Sequence, residues 1–148
     1  MILDRTTTPP TGEFPPLALP VPDNYRLSNG IEITACDRGD EEVCRIDLML
    51  DGGYYVEQKP GTASLSLLML KKGAAGKSSE EIAEALDYHG AWLQPSASSH
   101  YLYVTLYTLN RHLDTCLTLL ADMVIRPDFP PKEFDRLKER RIQQLLVQ

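Results

Sequence analysis

The sequence predicts an α+β fold, with a mainly antiparallel sheet and helices packed on one face. Three observations lead to this class. Short stretches of alternating apolar residues are joined by turn residues, such as those at 28–30. Longer stretches repeat apolar residues at helical spacing and carry capping residues at their ends. The strands are short, hairpin-linked and mixed with helix pairs, in the coarse order β-β-α-α-β-β-α-α.

Residues 1–22 are predicted to form a proline-rich arm or linker. They contain six of the chain's 11 prolines, at positions 9, 10, 15, 16, 20 and 22. Such a composition favours an extended segment over a helix or a strand. The folded domain is therefore expected within residues 23–148.

The overall charge argues against two classes of partner. The chain has 148 residues and a net charge of −6, which disfavours nucleic acid or an anionic membrane as its main partner. No apolar run is long enough to span a bilayer, and the first residues lack the pattern of a signal peptide. A cytoplasmic location is therefore expected.

Five strands are predicted from alternating apolar residues. Residues 25–27 and 31–35 flank a Ser-Asn-Gly turn and should form a hairpin. Residues 43–50 should form the next strand, and 91–98 and 100–109 two later ones. The side chains on the better core face of the third strand are Cys44, Ile46, Leu48 and Leu50.

Residues 59–73 are predicted to form the central helix. Their apolar side chains leave almost no polar face, so this helix should be buried. The next helix should begin at Ser78, which forms a capping box with Glu81, and end before Gly90.

Two further helices are predicted towards the end of the sequence. Asn110 is a natural N-cap for a helix at 111–125, and Pro131 favours the start of the last helix. The apolar stripe of the last helix continues to Gln148, which predicts that the chain is part of a longer one.

The residue patterns predict no metal site and no catalytic set. His89, His100 and His112 are dispersed, whereas a zinc site needs three or four ligands. The three cysteines at 36, 44 and 116 also lack close ligand spacing, so they are expected to be buried or half-buried thiols. The glycine-rich and nucleophile motifs of common enzymes are absent from the sequence.

A series of segments gives the sequence a family resemblance. In order they are LSNGIEI, a strand ending in Gly-Gly with Glu57 soon after, GTASLSLLMLKKG, SSEEIAEALDYHGAWL, paired strands to Leu109, and a helix followed by Pro-Asp-Phe at 127–129. Residues 25–148 resemble the insulinase/pitrilysin family of zinc metallopeptidases. The resemblance implies that residues 23–148 are a partial insulinase-like peptidase domain.

The resemblance also implies that the active site is degenerate. Active members carry H-x-x-E-H on the central helix, where the histidines bind zinc and the glutamate activates water; a later glutamate completes the site. Ser64, Leu67 and Leu68 occupy the three motif positions, and residues 142–147 contain no carboxylate. The resemblance thus implies no catalytic residues, no bound metal or other cofactor, and no activity of the chain on its own.

Non-catalytic members of the family suggest a function. They pair with a zinc-bearing half or subunit, so the resemblance implies a heterodimer in which this chain closes the proteolytic chamber and helps bind a peptide substrate. The resemblance matches the strand 91–98 to the strand that, in the catalytic half, receives an extended peptide by β-addition, which makes Leu93, Gln94 and Ser96 candidate substrate-binding residues. Pro95 lacks an N–H and should impair such pairing.

Two other functions remain open from the sequence. The chain could be a structural scaffold subunit of a larger assembly, like family members recruited as core subunits of such assemblies. It could also be a peptidase with an unrelated site.

Overall fold

The computed structural model describes Gly12 and residues 19–147, which belong to two compact units, Met1–Asp40 and Glu41–Gln148. Most of the predicted proline-rich arm at 1–22 lies outside the described residues. No helix in the described part of the chain is long and apolar enough to cross a membrane.

The first unit contains the predicted hairpin. Strand β1 (Asp23–Arg26) pairs antiparallel with β2 (Glu32–Ala35). The turn between them depends on Asn29, whose side-chain oxygen accepts a hydrogen bond from the Ile31 N–H at 3.1 Å, and on Gly30, which has a φ of +90°. The hairpin prediction is confirmed.

The second unit contains the remaining elements. In chain order they are β3 (Val43–Asp51), α1 (Thr62–Met69), β4 (Gly73–Ala74), β5 (Lys77–Ser78), α2 (Ser79–Tyr88), β6 (Trp92–Ala97), β7 (Tyr101–Leu109), α3 (Leu113–Ile125) and α4 (Pro131–Leu146).

The main sheet has three antiparallel strands in the order β3-β7-β6. Its strands alternate as predicted, so that Ile46, Leu106 and Leu93 lie side by side on one face. Helices α1, α2 and α3 cover this face and contribute Leu67, Ile82 and Met123 to the buried core. The α+β class and the antiparallel sheet are confirmed.

The helix α2 begins and ends as predicted. The Ser78 hydroxyl accepts a hydrogen bond from the Glu81 N–H at 3.2 Å, and the Glu81 carboxylate accepts one from the Ser78 N–H at 2.7 Å. Both halves of the capping box are therefore present. Gly90 follows the helix with a φ of +60°. The predicted start of the last helix is also confirmed, because Pro131 is the first residue of α4.

The predicted N-cap of the third helix is wrong. Asn110 begins a 3₁₀ turn that ends at His112, and α3 starts only at Leu113. The reason is that the Asn110 N–H donates to the Glu42 carbonyl at 3.1 Å and so continues the pairing of β7 with the chain before β3. The short ladder of β4 and β5 was not predicted, because two residues are too few for a periodic pattern.

The central helix is shorter and less buried than predicted. It spans Thr62–Met69, and only Ala63, Leu67 and Met69 within it are buried. Leu68 is 42% exposed. One face of α1 packs on the sheet, whereas part of the other lines an open groove against α4.

Candidate functional site

The loop before α1 fixes the position of this helix relative to the sheet. The N–H groups of Tyr54 and Tyr55 donate to the carbonyls of Ser98 and Ser99, each at 3.0 Å. Gly53 has a φ of +106°, and an added Cβ would lie 2.5 Å from the Ser98 carbonyl oxygen. Only glycine therefore fits where this loop meets the turn between β6 and β7.

Glu57 caps the N-terminus of α1 from this loop. Its carboxylate accepts hydrogen bonds from the N–H groups of Gly61 and Ala63, each at 3.0 Å. These N–H groups have no partner within the helix, and a negative charge is favourable at this end. Glu57 therefore holds the start of the helix on which the resemblance places the zinc-binding motif.

The three residues of α1 to which the resemblance assigns the motif lie in different surroundings. The Ser64 hydroxyl lines the groove and donates to the Gly61 carbonyl at 3.2 Å. Leu67 is 4% exposed and belongs to the core, whereas Leu68 is 42% exposed. None of these three side chains offers the nitrogen, thiolate or carboxylate that zinc requires.

A groove lies between α1 and α4 in the second unit. Its volume is about 1060 Å³. Ser64 and Leu65 line it from α1, and Ile142 and Leu145 line it from α4. The structure therefore brings Ser64 together with the segment 142–147, where the resemblance expects the last zinc ligand. Within the described residues, no three His, Cys, Asp or Glu side chains are grouped so that they could hold a metal ion.

The candidate peptide-binding residues lie on β6, on both faces of the sheet. The Leu93 side chain is 5% exposed and faces the core. Gln94 and Ser96 face the other way and line a polar cavity of about 310 Å³. The other side chains that line this cavity are Arg45, Asp47, Tyr103, Thr105 and Tyr107.

Asp47 is the charged centre of this polar cavity. The Thr105 hydroxyl donates to its carboxylate at 2.6 Å, and the Arg45 guanidinium forms an ion pair with it at 2.9 Å. The hydrogen bond from Thr105, followed by that from Arg45, lowers the pKa of Asp47 below its ordinary value of 3.8. Arg45 also lies over the Tyr107 ring, with 5.6 Å between its guanidinium carbon and the ring centroid.

Backbone hydrogen bonding shows which groups of β6 face the free edge of the sheet. The Ser98 N–H donates to the Tyr101 carbonyl at 2.9 Å, so Ser98 and Tyr101 form a hydrogen-bonded pair. Hydrogen-bonded and non-hydrogen-bonded pairs alternate along an antiparallel ladder. It follows from the register that the backbone groups of residues 94 and 96 point towards β7. Those of residues 93, 95 and 97 point to the free edge.

This free edge is poorly suited to pairing with another strand. Proline has no N–H, so one of the donors is missing at Pro95. The Leu93 carbonyl already accepts a hydrogen bond from the Lys71 ammonium group at 3.3 Å. An added strand would therefore lack one donor at Pro95 and would meet a carbonyl at Leu93 that already has a partner.

The histidines and cysteines are not brought together into one site. The His89 and His112 rings pack with centroids 4.8 Å apart, and His100 packs against Tyr55. Cys116 is buried and its sulfur accepts a hydrogen bond from the Thr108 hydroxyl at 3.2 Å. Cys44 is half-buried, as expected. Cys36 is exposed, so the prediction that it is buried or half-buried is wrong; it follows a two-stranded hairpin too small to enclose it.

Residues 34–146 match the sequence pattern of the family Insulinase (Peptidase family M16). The chain belongs to the M16 family. No curated protein matches the M16 chain in sequence.

Two solved structures share the fold of the M16 chain. The peptidase M16 inactive domain from Pseudomonas fluorescens has a TM-score of 0.75 and 21% identity, over 80% of this chain and 30% of that one. A protease from Helicobacter pylori has a TM-score of 0.72 and 22% identity, over 84% of this chain and 30% of that one. The M16 chain thus spans about 30% of the length of each structure.

Two residues of the M16 chain have roles at this site that sequence analysis missed. Glu57 was noted only as part of the resemblance, although an acidic residue just before a helix start is a recognisable capping signal. Lys71 has no comparable signal, because its contact with the Leu93 carbonyl joins residues that are 22 positions apart.

Proposed function

We propose that the chain is part of a non-catalytic M16 half, which pairs with a zinc-bearing half or subunit and closes the proteolytic chamber. The observation that carries this proposal is the replacement of the H-x-x-E-H motif by Ser64, Leu67 and Leu68 on α1. Leucine cannot bind zinc or activate water, and the Ser64 hydroxyl is hydrogen-bonded within its own helix.

The α4 side of the groove supports the same proposal. Residues 142–147 supply no carboxylate, and Ile142 and Leu145 present apolar side chains to the groove. Zinc is therefore expected only in the partner half. The similarity to a protein described as a peptidase M16 inactive domain is consistent with this role.

The domain organisation belongs to the same proposal. We take residues 23–148 as part of one M16 domain, preceded by a proline-rich arm at 1–22. The match to the family over residues 34–146 supports the larger part of this division.

A structural scaffold subunit is the second candidate, and the free edge of β6 favours it. An M16 half that holds its peptide by β-addition needs a regular row of edge donors and acceptors. Pro95 and Lys71 interrupt that row at the edge of β6. If this chain helps to hold a peptide, it must therefore use other contacts.

Reconstitution with an M16 protein from the same organism that carries an intact H-x-x-E-H tests the proposal. We expect a complex in size-exclusion chromatography and peptide hydrolysis that is greater than that of either protein alone and is abolished by a zinc chelator. A complex without such hydrolysis would favour the scaffold. Hydrolysis by this chain alone would contradict both.

A further inference from the structure

The groove between α1 and α4 has an apolar lining that the described residues leave open. Phe134 is 40% exposed, Ile142 45% and Leu145 58%. All three belong to α4 and line the groove. The groove volume of about 1060 Å³ lies at the upper end of the range for ligand pockets. A surface of this kind is typical of a binding site.

The hydroxyl groups on the α1 wall do not require a polar ligand. The Ser64 hydroxyl donates to the Gly61 carbonyl at 3.2 Å, and the Ser66 hydroxyl donates to the Thr62 carbonyl at 2.7 Å. Because both are hydrogen-bonded within their own helix, an apolar ligand can cover this wall without leaving them unsatisfied.

The charged groups of the groove are all of one sign. Lys59, Lys138 and Arg141 line it, and no carboxylate does. Within the described residues these three cations form no ion pair, whereas Lys72 and Arg136 both pair with Glu133 on α4. This cationic lining contrasts with the chain's net charge of −6. The groove therefore favours a ligand that carries negative charge.

We propose that this groove binds a peptide segment that combines apolar side chains with carboxylates. The inference rests on the proposed function, because it names the kind of peptide that a non-catalytic M16 half would hold. It also requires contacts other than strand pairing, which the free edge of β6 disfavours. Apolar anchors in a groove between helices provide such contacts.

The distribution of the cations favours a peptide over a single-headed amphiphile. Lys138 and Arg141 are three residues apart on α4, which corresponds to a rise of about 4.5 Å along the helix. Lys59 precedes α1 on the other wall of the groove. Separate cations of this kind match several carboxylates along a chain better than one headgroup.

Binding of a fluorescently labelled peptide to the 148-residue chain tests the proposal. The probe is an amphipathic peptide of leucine and glutamate, and its partner probe carries lysine in place of each glutamate. We expect the anisotropy to rise with the glutamate probe, to rise far less with the lysine probe, and to fall with added salt.

Two matched pairs of variants locate the binding site. Arg141→Glu should weaken binding by about tenfold or more, which corresponds to about 1.4 kcal/mol. Arg140→Glu makes the same charge change at an exposed neighbour outside the groove and should have a small effect. Leu145→Ser should also weaken binding, whereas Leu146→Ser, likewise outside the groove, should not. All four positions are exposed, so the variants are expected to fold.

Several outcomes would overturn the proposal. Equal binding of both probes would exclude charge recognition, and equal effects of Arg140→Glu and Arg141→Glu would place binding elsewhere. Tight binding of dodecanoate alone would identify an amphiphile site. Self-association lost in Leu145→Ser, without binding of peptide, would identify a second copy of the chain as the occupant. If the probe fails to bind but the zinc-bearing half still forms an active complex, only this inference fails.

Discussion

At the scale of single residues, two adjacent leucines on α1 experience different surroundings. Leu67 is 4% exposed and packs in the core, whereas Leu68 is 42% exposed. A carboxylate at position 67 would lose its hydration without gaining a partner, because the described residues supply no cluster of metal ligands. We therefore expect a glutamate to destabilise the protein strongly at position 67 and only slightly at position 68.

We expect Leu67→Glu to lower the free energy of unfolding by about 3 kcal/mol or more, and Leu68→Glu by less than about 1 kcal/mol. Urea denaturation of the two variants measures the difference.

The triple variant Ser64→His, Leu67→Glu, Leu68→His should consequently be unstable and should not hydrolyse peptides, since α4 still lacks a carboxylate between 142 and 147. Efficient zinc-dependent hydrolysis by this variant would show that our assignment of the motif positions is wrong.

The second prediction at this scale concerns the cap of α1. Glu57→Gln keeps the shape of the side chain but removes the charge and one of the two acceptor oxygens that bind Gly61 and Ala63. The free energy of unfolding should fall by about 1 kcal/mol. Glu84→Gln, at an exposed position within α2, serves as the control. Equal effects of the two substitutions in urea denaturation would show that Glu57 does not cap the helix.

At the scale of elements, the end of α2 meets the start of α3 through two histidines. His89 is the C-cap of α2 and His112 the N-cap of α3, and their rings pack together. Burial, followed by the neighbouring His89 and Arg111, lowers the pKa of His112 below its ordinary value of 6.5. The neutral imidazole is therefore the form that fits this junction.

The sign of the resulting pH dependence follows from the lowered pKa of His112. Between its folded pKa and 6.5 the unfolded chain binds the proton more readily, so stability is lost as the pH falls through this window. We expect the decrease in Tm between about pH 7.5 and pH 5.5, which spans the ordinary pKa of histidine, to be smaller in His112→Asn than in the unsubstituted chain. Identical decreases in the two proteins would show that His112 does not contribute to the pH dependence.

Elements whose determinants are local were predictable from the sequence. The capping box of α2 involves residues three positions apart, and the hairpin of β1 and β2 depends on its own turn. The start of α3 was not predictable in this way, because Asn110 is held by Glu42 across the sheet. The burial of α1 was overestimated for the same reason, since the groove depends on where α4 lies.

At the scale of the whole molecule, the sequence predicted residues of the candidate site but not the shape or the charge of the groove. The resemblance led to Ser64, Leu67, Leu68 and the segment 142–147, and Ser64 and that segment line the same groove. It did not reveal the cations of the groove as a group, because Lys59 is distant in sequence from Lys138 and Arg141. The interruption of the β6 edge by Lys71 also depends on tertiary contact.

The most decisive experiment is to measure the zinc content of the chain after purification without a histidine tag and incubation with zinc. We expect no stoichiometric zinc after removal of free metal, and no hydrolysis of peptides by the chain alone, because we assign Ser64, Leu67 and Leu68 to the motif positions. One zinc ion per chain, removed together with peptidase activity by a chelator, would show that this assignment is wrong.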